Sequence, residues 1–108
     1  MAEVGGHLLM KFRDGAFREV PRKLTDVELS LPGAREGWND GLAVAEILTD
    51  MELTALIERT RVNESFAIDC PDLTDYDYNR VGAKCRALEW VQAERQRAER
   101  SRQRIEGR

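Results

Sequence analysis

The side chains that could carry catalysis are few, and none stands in a catalytic motif. His7 is the single histidine, and the two cysteines, Cys70 and Cys85, lack the CxxC spacing of redox or metal motifs. A cysteine–histidine nucleophile or a zinc site would have to join His7 to residues far along the chain. The three serines occur in neither a nucleophile elbow nor an SxxK motif. We therefore predict no catalytic residues and a protein that is not an enzyme.

Asp75, Asp77 and Asn79 have the spacing that opens a calcium-binding loop. Such a loop needs glycine at its sixth position and glutamate at its twelfth, but Arg80 and Arg86 stand there. Two cations among the ligands oppose calcium binding, so we interpret the two aspartates as favourable charges in the first turn of a helix. Glycine-rich phosphate-binding motifs are also missing from the sequence. We predict neither a metal nor a cofactor.

Charge is segregated along the chain, although the net charge is only -3. Residues 1–25 carry +2, residues 26–77 carry -10 and residues 78–108 carry +5. An acidic middle and a basic end favour contact between the two, within one molecule or between copies. Arginine suits phosphate, which makes nucleic acid an alternative partner of the basic end. Interspersed glutamates and the negative net charge oppose that alternative.

The last third of the chain, residues 74–108, predicts one long helix around which the other elements are organised. Thr74 is a favourable N-cap. An apolar face then follows at helical spacing, formed by Tyr78, Val81, Cys85, Leu88, Trp90 and Val91. Residues 93–108 are mostly Glu, Arg, Gln and Ser, and they offer no comparable face. We therefore expect an α+β domain over residues 1–92 and a charged helical extension over residues 93–108.

The N-terminal part of the chain predicts short antiparallel strands. Residues 7–12 and 16–20 flank Asp14-Gly15, a preferred two-residue hairpin turn, and this register sets Leu9 opposite Val20 and Phe12 opposite Phe17. Residues 26–31 alternate between apolar and polar side chains, which predicts a third, half-buried strand.

The middle of the chain predicts a loop and then helix. Residues 32–41 contain a proline and three glycines and should form a loop around Trp38. Trp38 either covers the core, the interpretation we favour, or is exposed as an anchor for a partner. Residues 41–59 are helical in pattern, with a capping box at Thr49 and Glu52. One helix or two helices broken near Thr49 both fit, and the capping box favours the break.

Together these elements predict an α+β fold: two or three antiparallel N-terminal strands packed against two or three helices, with the long C-terminal helix projecting. A helix without a partner in its own chain, opposed charges and no catalytic motif predict a non-enzymatic protein–protein interaction or assembly protein. We picture a small subunit of a larger viral or bacterial complex, of the connector, adaptor or chaperone type. The alternative is a nucleic-acid-associated regulator that uses the C-terminal arginines.

The expected partner is another protein or a second copy of this chain, and not a membrane, because no apolar run is long enough to span one. Without a recognisable leader sequence, we expect the protein in the cytoplasm or within a virion. Residues 105–108 spell a protease recognition sequence, Ile-Glu-Gly-Arg, which is either native or a remnant of cloning. The predicted partner-binding residues are Trp38, Trp90, Arg95, Arg97, Arg100, Arg102, Arg104 and Ile105.

Overall fold

A computed structural model describes residues 7–11, 13–70 and 72–106, including their side chains except those of Ile68 and of residues 103–106. Two antiparallel strands are followed by four helices: β1 (His7–Lys11), β2 (Phe17–Pro21), α1 (Asp26–Leu29), α2 (Ala34–Glu46), α3 (Asp50–Ile68) and α4 (Asp75–Glu106). The predicted α+β fold, with an N-terminal hairpin and a long C-terminal helix, is confirmed.

The hairpin forms where it was predicted, but its register is shifted by one residue. Leu8, rather than Leu9, pairs with Val20, and the ladder ends with Lys11 opposite Phe17. Phe17 pairs with Lys11, so its predicted pairing with Phe12 is wrong. Phe12 itself lies outside the described residues.

The turn explains the shifted register. Oδ1 of Asp14 accepts a hydrogen bond from the backbone N–H of Ala16 at 3.0 Å, and Gly15 has a φ of 86°, a conformation that favours glycine. Asp14 also binds Arg18 at 2.7 Å. The connection between the strands therefore contains more residues than the predicted Asp14-Gly15 dipeptide. Each residue of β2 pairs with a residue of β1 that lies one position closer to the N-terminus than predicted.

The predicted third strand over residues 26–31 is wrong, because this segment contains α1. A capping box starts the helix: the hydroxyl of Thr25 accepts from the N–H of Glu28, and the Glu28 carboxylate accepts from the N–H of Thr25. Arg22 also binds this carboxylate, with 2.7 Å between Nη1 and Oε1. Local side-chain hydrogen bonds thus satisfy the backbone N–H groups of Thr25 and Glu28 at the start of α1. Val27 is 77% exposed, whereas Leu29 and Leu31 pack partly buried against the core, so the alternation did not mark one continuous buried face.

The glycine-rich segment predicted as a loop leads directly into α2 and forms its first half. Gly33, Gly37 and Gly41 recur every fourth residue and so lie along one side of the helix. A Cβ at Gly33 would meet the backbone carbonyl of Tyr76, and one at Gly37 would meet that of Arg80. The missing side chains therefore allow the backbones of α2 and α4 to approach closely.

Two apolar clusters form the core, both built on α4. The first joins α4 to α2 and the segment before it, through Leu24, Ala34, Trp38, Ala83 and Ala87. The second joins α4 to the end of α2 and to α3, through Ala45, Leu53, Ile57 and Leu88. The predicted apolar face of α4 is right for Cys85 and Leu88, which are fully buried, whereas Tyr78 and Val81 remain partly exposed.

The helices α2 and α3 are separate, as favoured by the sequence. The hydroxyl of Thr49 accepts from the N–H of Glu52, and the Glu52 carboxylate accepts from the N–H of Thr49, which confirms the predicted capping box. The second helix is longer than predicted, because α3 continues to Ile68 instead of ending near Arg59.

We expect Gly37→Ala to lower the free energy of unfolding, although alanine favours a helix by about 1 kcal/mol over glycine. The added methyl group would collide with the Arg80 carbonyl, and overpacking of this kind costs about 1–3 kcal/mol. Urea unfolding followed by circular dichroism measures the effect. Asn39→Ala, on an exposed position of the same helix, is the control and should be neutral or slightly stabilising. A gain in stability from Gly37→Ala would contradict the close contact.

Candidate functional site

A polar cleft of about 470 Å³ lies where the hairpin meets α3 and α4. The pairing of His7 with Pro21 places both at the open end of the hairpin. Successive turns of α3 and α4 supply most of the remaining wall, because residues three or four apart share a helix face. The lining residues are His7, Glu19, Pro21, Arg61, Glu64, Ser65, Arg86 and Glu89.

Glu89 is the centre of this cleft, and only 5% of the residue is exposed. Its Oε2 lies 2.7 Å from Nη2 of Arg61 and 3.5 Å from Nε2 of His7, and its Oε1 lies 3.0 Å from Nη1 of Arg86. Burial raises the pKa of Glu89, but the hydrogen bond from Arg61 and the charges of Arg86 and Arg61 outweigh burial and leave that pKa below its ordinary value. Glu89 is therefore a fixed anion at neutral pH.

Arg86 is the matching buried cation, with a side chain that is 11% exposed. Its Nη2 donates to both carboxylate oxygens of Glu64, at 2.5 and 2.8 Å, and its Nη1 lies 3.1 Å from Nε2 of His7. Burial acts to lower the pKa of Arg86, but Glu89 and Glu64 together raise it. Glu64 and Glu89 are thus paired with Arg61 and Arg86, while Glu19, the third carboxylate of the lining, is exposed.

Cys85 lies beside this network but cannot act as a nucleophile. The thiol is fully buried, and its Sγ is 3.5 Å from Oε1 of Glu89. The pKa of Cys85 is raised to about 12, chiefly by burial; the charge of Arg86 acts to lower this pKa, and the carboxylates of Glu89 and Glu64 act to raise it. A thiol that stays protonated is a poor nucleophile. The fold brings His7 and Cys85 to the same carboxylate, that of Glu89.

Of the predicted partner-binding residues, the two tryptophans lie within the domain. Trp38 is 8% exposed, and its ring centroid is 5.9 Å from that of Trp90. Trp90 is partly buried, with Nζ of Lys23 5.0 Å from its ring centroid. The favoured interpretation of Trp38 as a cover on the core agrees with this arrangement.

Arg95 is also occupied within its own chain. Its Nη2 donates to the carbonyl of Ala45 at 2.6 Å, near the end of α2, and its Nη1 donates to Oδ1 of Asp50 at 3.0 Å. Gln92 donates to the hydroxyl of Thr54 at 2.9 Å. Contacts with the domain therefore continue through Arg95, and the exposed part of α4 begins at Gln96 instead of at the predicted residue 93.

The remaining predicted residues lie on the projecting end of α4. Arg97, Arg100 and Arg102 are exposed, and Arg97 pairs with Glu94 of its own helix at 2.8 Å. The backbones of Arg104 and Ile105 continue the helix, while their side chains lie outside the described part of the chain. Arg97, Arg100 and Arg102 are thus exposed along the projecting end of the helix. The two tryptophans and Arg95 are not part of that surface.

An exposed apolar surface on α3 was missed by the sequence analysis. Met51 is 84% exposed, Phe66 is 73% exposed and Val62 is 54% exposed. The helical spacing of these residues was the available signal, but it was overlooked because the predicted helix ended near Arg59. Further large apolar residues are exposed on the hairpin: Leu8, Leu9, Met10 and Phe17.

A scan against protein-family models finds no match to this chain, and searches of curated proteins and of solved structures find none either. Among the residues that the structure describes, no three histidine, cysteine or acidic side chains are grouped so as to hold a metal ion. Within the same residues, no helix has the length and apolarity needed to cross a membrane. The exposed surfaces described above are therefore the features from which a function can be inferred.

We expect Glu89→Gln to lower the free energy of unfolding by about 1–3 kcal/mol, because Arg86 and Arg61 would lose their buried carboxylate. Urea unfolding at neutral pH measures the loss. Glu94→Gln, the same chemical change on the same helix, removes only the exposed pair with Arg97 and should cost at most about 0.5 kcal/mol. Equal costs for the two variants would contradict a structural role of the network.

The cost of Glu89→Gln should also depend on pH. In the folded protein the pKa of Glu89 lies below the ordinary 4.5, so unfolding is accompanied by proton uptake in mildly acidic solution. The stability contributed by this carboxylate is therefore fully present above pH 4.5 and is lost as the pH falls through its folded-state pKa. The difference between the two proteins should shrink in that range, and a constant difference would contradict the assignment.

The two thiols should react at very different rates with a thiol reagent such as Ellman's reagent. Cys70 is exposed and should react rapidly in the native protein, whereas the buried Cys85, with a pKa of about 12, should react only after unfolding. Cys70→Ser should abolish the rapid phase. Two rapidly reacting thiols in the native protein would show that Cys85 is accessible.

Proposed function

We propose that this protein is a non-enzymatic assembly protein that binds another protein chain through surfaces its own fold leaves uncovered. The observation that carries the proposal is the exposure of large apolar side chains on α3. The largest fully buried side chains are Leu53, Leu88 and Cys85, whereas Met51 and Phe66 are 84% and 73% exposed. Large apolar side chains exposed along one helix are typical of interaction sites.

The projecting end of α4 supports the same proposal. From Gln96 to Arg102 every residue is exposed, so the helix gains no packing from its own domain there. A helical segment of this length is only marginally stable alone in water. A partner that packs along this segment would stabilise it. Residues 96–108 contain five arginines and two glutamates, so a partner with an acidic surface suits them.

The charged cleft supports a non-enzymatic role, because its carboxylates and arginines bind one another and attach the hairpin to the helices. In the proposal the protein is a small subunit of a larger complex, of the connector, adaptor or chaperone type, in the cytoplasm or within a virion. Such a subunit needs surfaces and stability instead of a reactive group.

Nucleic acid is the second candidate partner, favoured by one observation. Arg100 and Arg102 are exposed and form no ion pair with the other residues that the structure describes. Arginines of this kind bind phosphate, and such binding weakens steeply with salt. Glu94 and Glu99 are interspersed with the arginines of this helix end, and they favour a protein partner instead, as does the exposed apolar surface of α3.

We expect a tagged full-length chain, purified from cells that produce it, to elute with a companion protein in a fixed ratio. A chain ending at Arg95 keeps the bonds of Arg95 to Ala45 and Asp50, so its domain should remain folded while the companion is lost or reduced. Size-exclusion chromatography with light scattering and mass spectrometry measures the composition. Val27→Ser, which changes an exposed residue of α1, is the control and should leave the complex unchanged.

Two outcomes would contradict the proposal. One is a full-length chain that is strictly monomeric at all concentrations and carries no companion. The other is a complex that nuclease dissolves and that weakens when Arg97, Arg100 and Arg102 are changed to glutamine, which would establish the nucleic-acid alternative.

A further inference from the structure

Pro21 determines which backbone groups of the hairpin point outward. Opposed residues in an antiparallel ladder alternate between pairs that exchange two hydrogen bonds and pairs that exchange none. Pro21 has no N–H, so its pair with His7 is of the second kind. Because the two kinds alternate, the pairs that Leu9 and Lys11 form with β2 are also of the second kind.

The backbone groups of these residues form a row along the outer side of β1. In a pair that exchanges no bonds, the N–H and C=O of each residue point away from the opposite strand. Among the residues that the structure describes, none forms a hydrogen bond with this row. We refer to the row as the β1 edge, and its members are His7, Leu9 and Lys11.

The β1 edge is more open than the outer edge of β2. Pro21 offers no donor on the edge of β2, and β2 is the strand that packs on α4. Proline protects sheet edges in this way. On β1, by contrast, Leu8, Leu9 and Met10 follow one another and are 51%, 63% and 47% exposed. An open edge strand with exposed apolar residues is a site where another strand adds to the sheet.

We infer that the β1 edge binds the β1 edge of a second copy, with the two strands antiparallel about a twofold axis at Leu9. The inference rests on the proposed function and names its partner. Leu9 then lies opposite the partner's Leu9, and His7 lies opposite the partner's Lys11. Outward backbone groups thus meet outward backbone groups along the whole row, and the two hairpins form one four-stranded sheet.

The hydrogen-bonding pattern of β1 makes it complementary to itself in this register. A shift by one residue would set outward groups against groups that already bond to β2. A shift by two residues would leave one outward residue of each β1 without a partner. A second copy therefore satisfies the edge completely in one alignment, and each contact occurs twice, as a twofold interface requires.

The side chains of β1 fit the same register. Leu8 lies opposite the partner's Met10, so exposed apolar residues on this face cover one another, and cross-strand pairs of this kind stabilise a sheet. A sheet of three or more strands is also more stable than an isolated two-stranded hairpin. The interface is small, so the dimer should form in a concentration-dependent manner.

Proline substitutions in the full chain test the two edges separately. Leu9→Pro removes the N–H at the proposed axis without removing a hydrogen bond to β2, so dimerisation should weaken by at least about tenfold. Glu19→Pro is the matched control, because Glu19 lies opposite Leu9 and its N–H points to the outer edge of β2. It should leave the dimer unchanged. Circular dichroism checks the fold of both variants, and analytical ultracentrifugation from micromolar to millimolar concentration measures association.

A disulfide tests the same axis without proline. Residues of a hydrogen-bonded antiparallel pair have Cα atoms about 5.5 Å apart, a distance that suits a disulfide. In a Cys70→Ser background, which removes the exposed native thiol, Leu9→Cys should therefore form an intermolecular disulfide under mild oxidation. Phe17→Cys is the matched control, because Phe17 is 64% exposed, as Leu9 nearly is. It lies on β2, and the two β2 strands of the proposed sheet are about 14 Å apart, so it should not form one.

The outcomes separate this inference from the proposed function. Dimerisation lost in Leu9→Pro but kept in Glu19→Pro, with a disulfide in Leu9→Cys alone, would support the pairing of the β1 edges. A dimer that persists in Leu9→Pro, or that responds equally to both prolines, would overturn the pairing while leaving an assembly protein. A monomer throughout the concentration range would overturn the second copy as the partner, and a companion protein retained by that monomer would leave the proposed function intact.

Discussion

The close approach of α2 to α4 is the constraint on which the remaining contacts between these two helices depend. It is possible because Gly33, Gly37 and Gly41 present no side chain on the side of α2 that faces α4. With the backbones this close, Trp38 reaches Trp90, and the end of α2 lies beside Arg95. Larger side chains at these three positions would push α2 as a whole away from α4 and lengthen all of these contacts.

The second constraint is electrostatic and attaches the hairpin. A two-stranded hairpin alone is at best marginally stable in water, so it needs contacts outside itself. His7 provides one through Glu89, which is held in turn by Arg61 of α3 and Arg86 of its own helix. Burying a carboxylate is unfavourable unless it is paired, which explains why an acid and two arginines occur together in this otherwise modest core.

The sequence predicted those elements whose signals are local. Thr49 and Glu52 fixed the start of α3 because a capping box satisfies neighbouring backbone groups without help from elsewhere. Thr25 and Glu28 form the same motif, a local helix signal in a segment whose apolar alternation predicts a strand that the structure does not contain. The glycines of α2 were interpreted by composition, as loop formers, although their spacing of four residues carried the helical signal.

The ion-pair network could not be predicted, because its members meet only in the folded chain. His7 and Arg86 are 79 positions apart, and Glu64 and Arg86 are 22 apart, in a sequence where charged residues are abundant. Choosing the right partners among so many charges requires the helix packing to be known. The exposed arginines of α4 were more accessible to prediction, since the loss of an apolar face is visible in the helix itself.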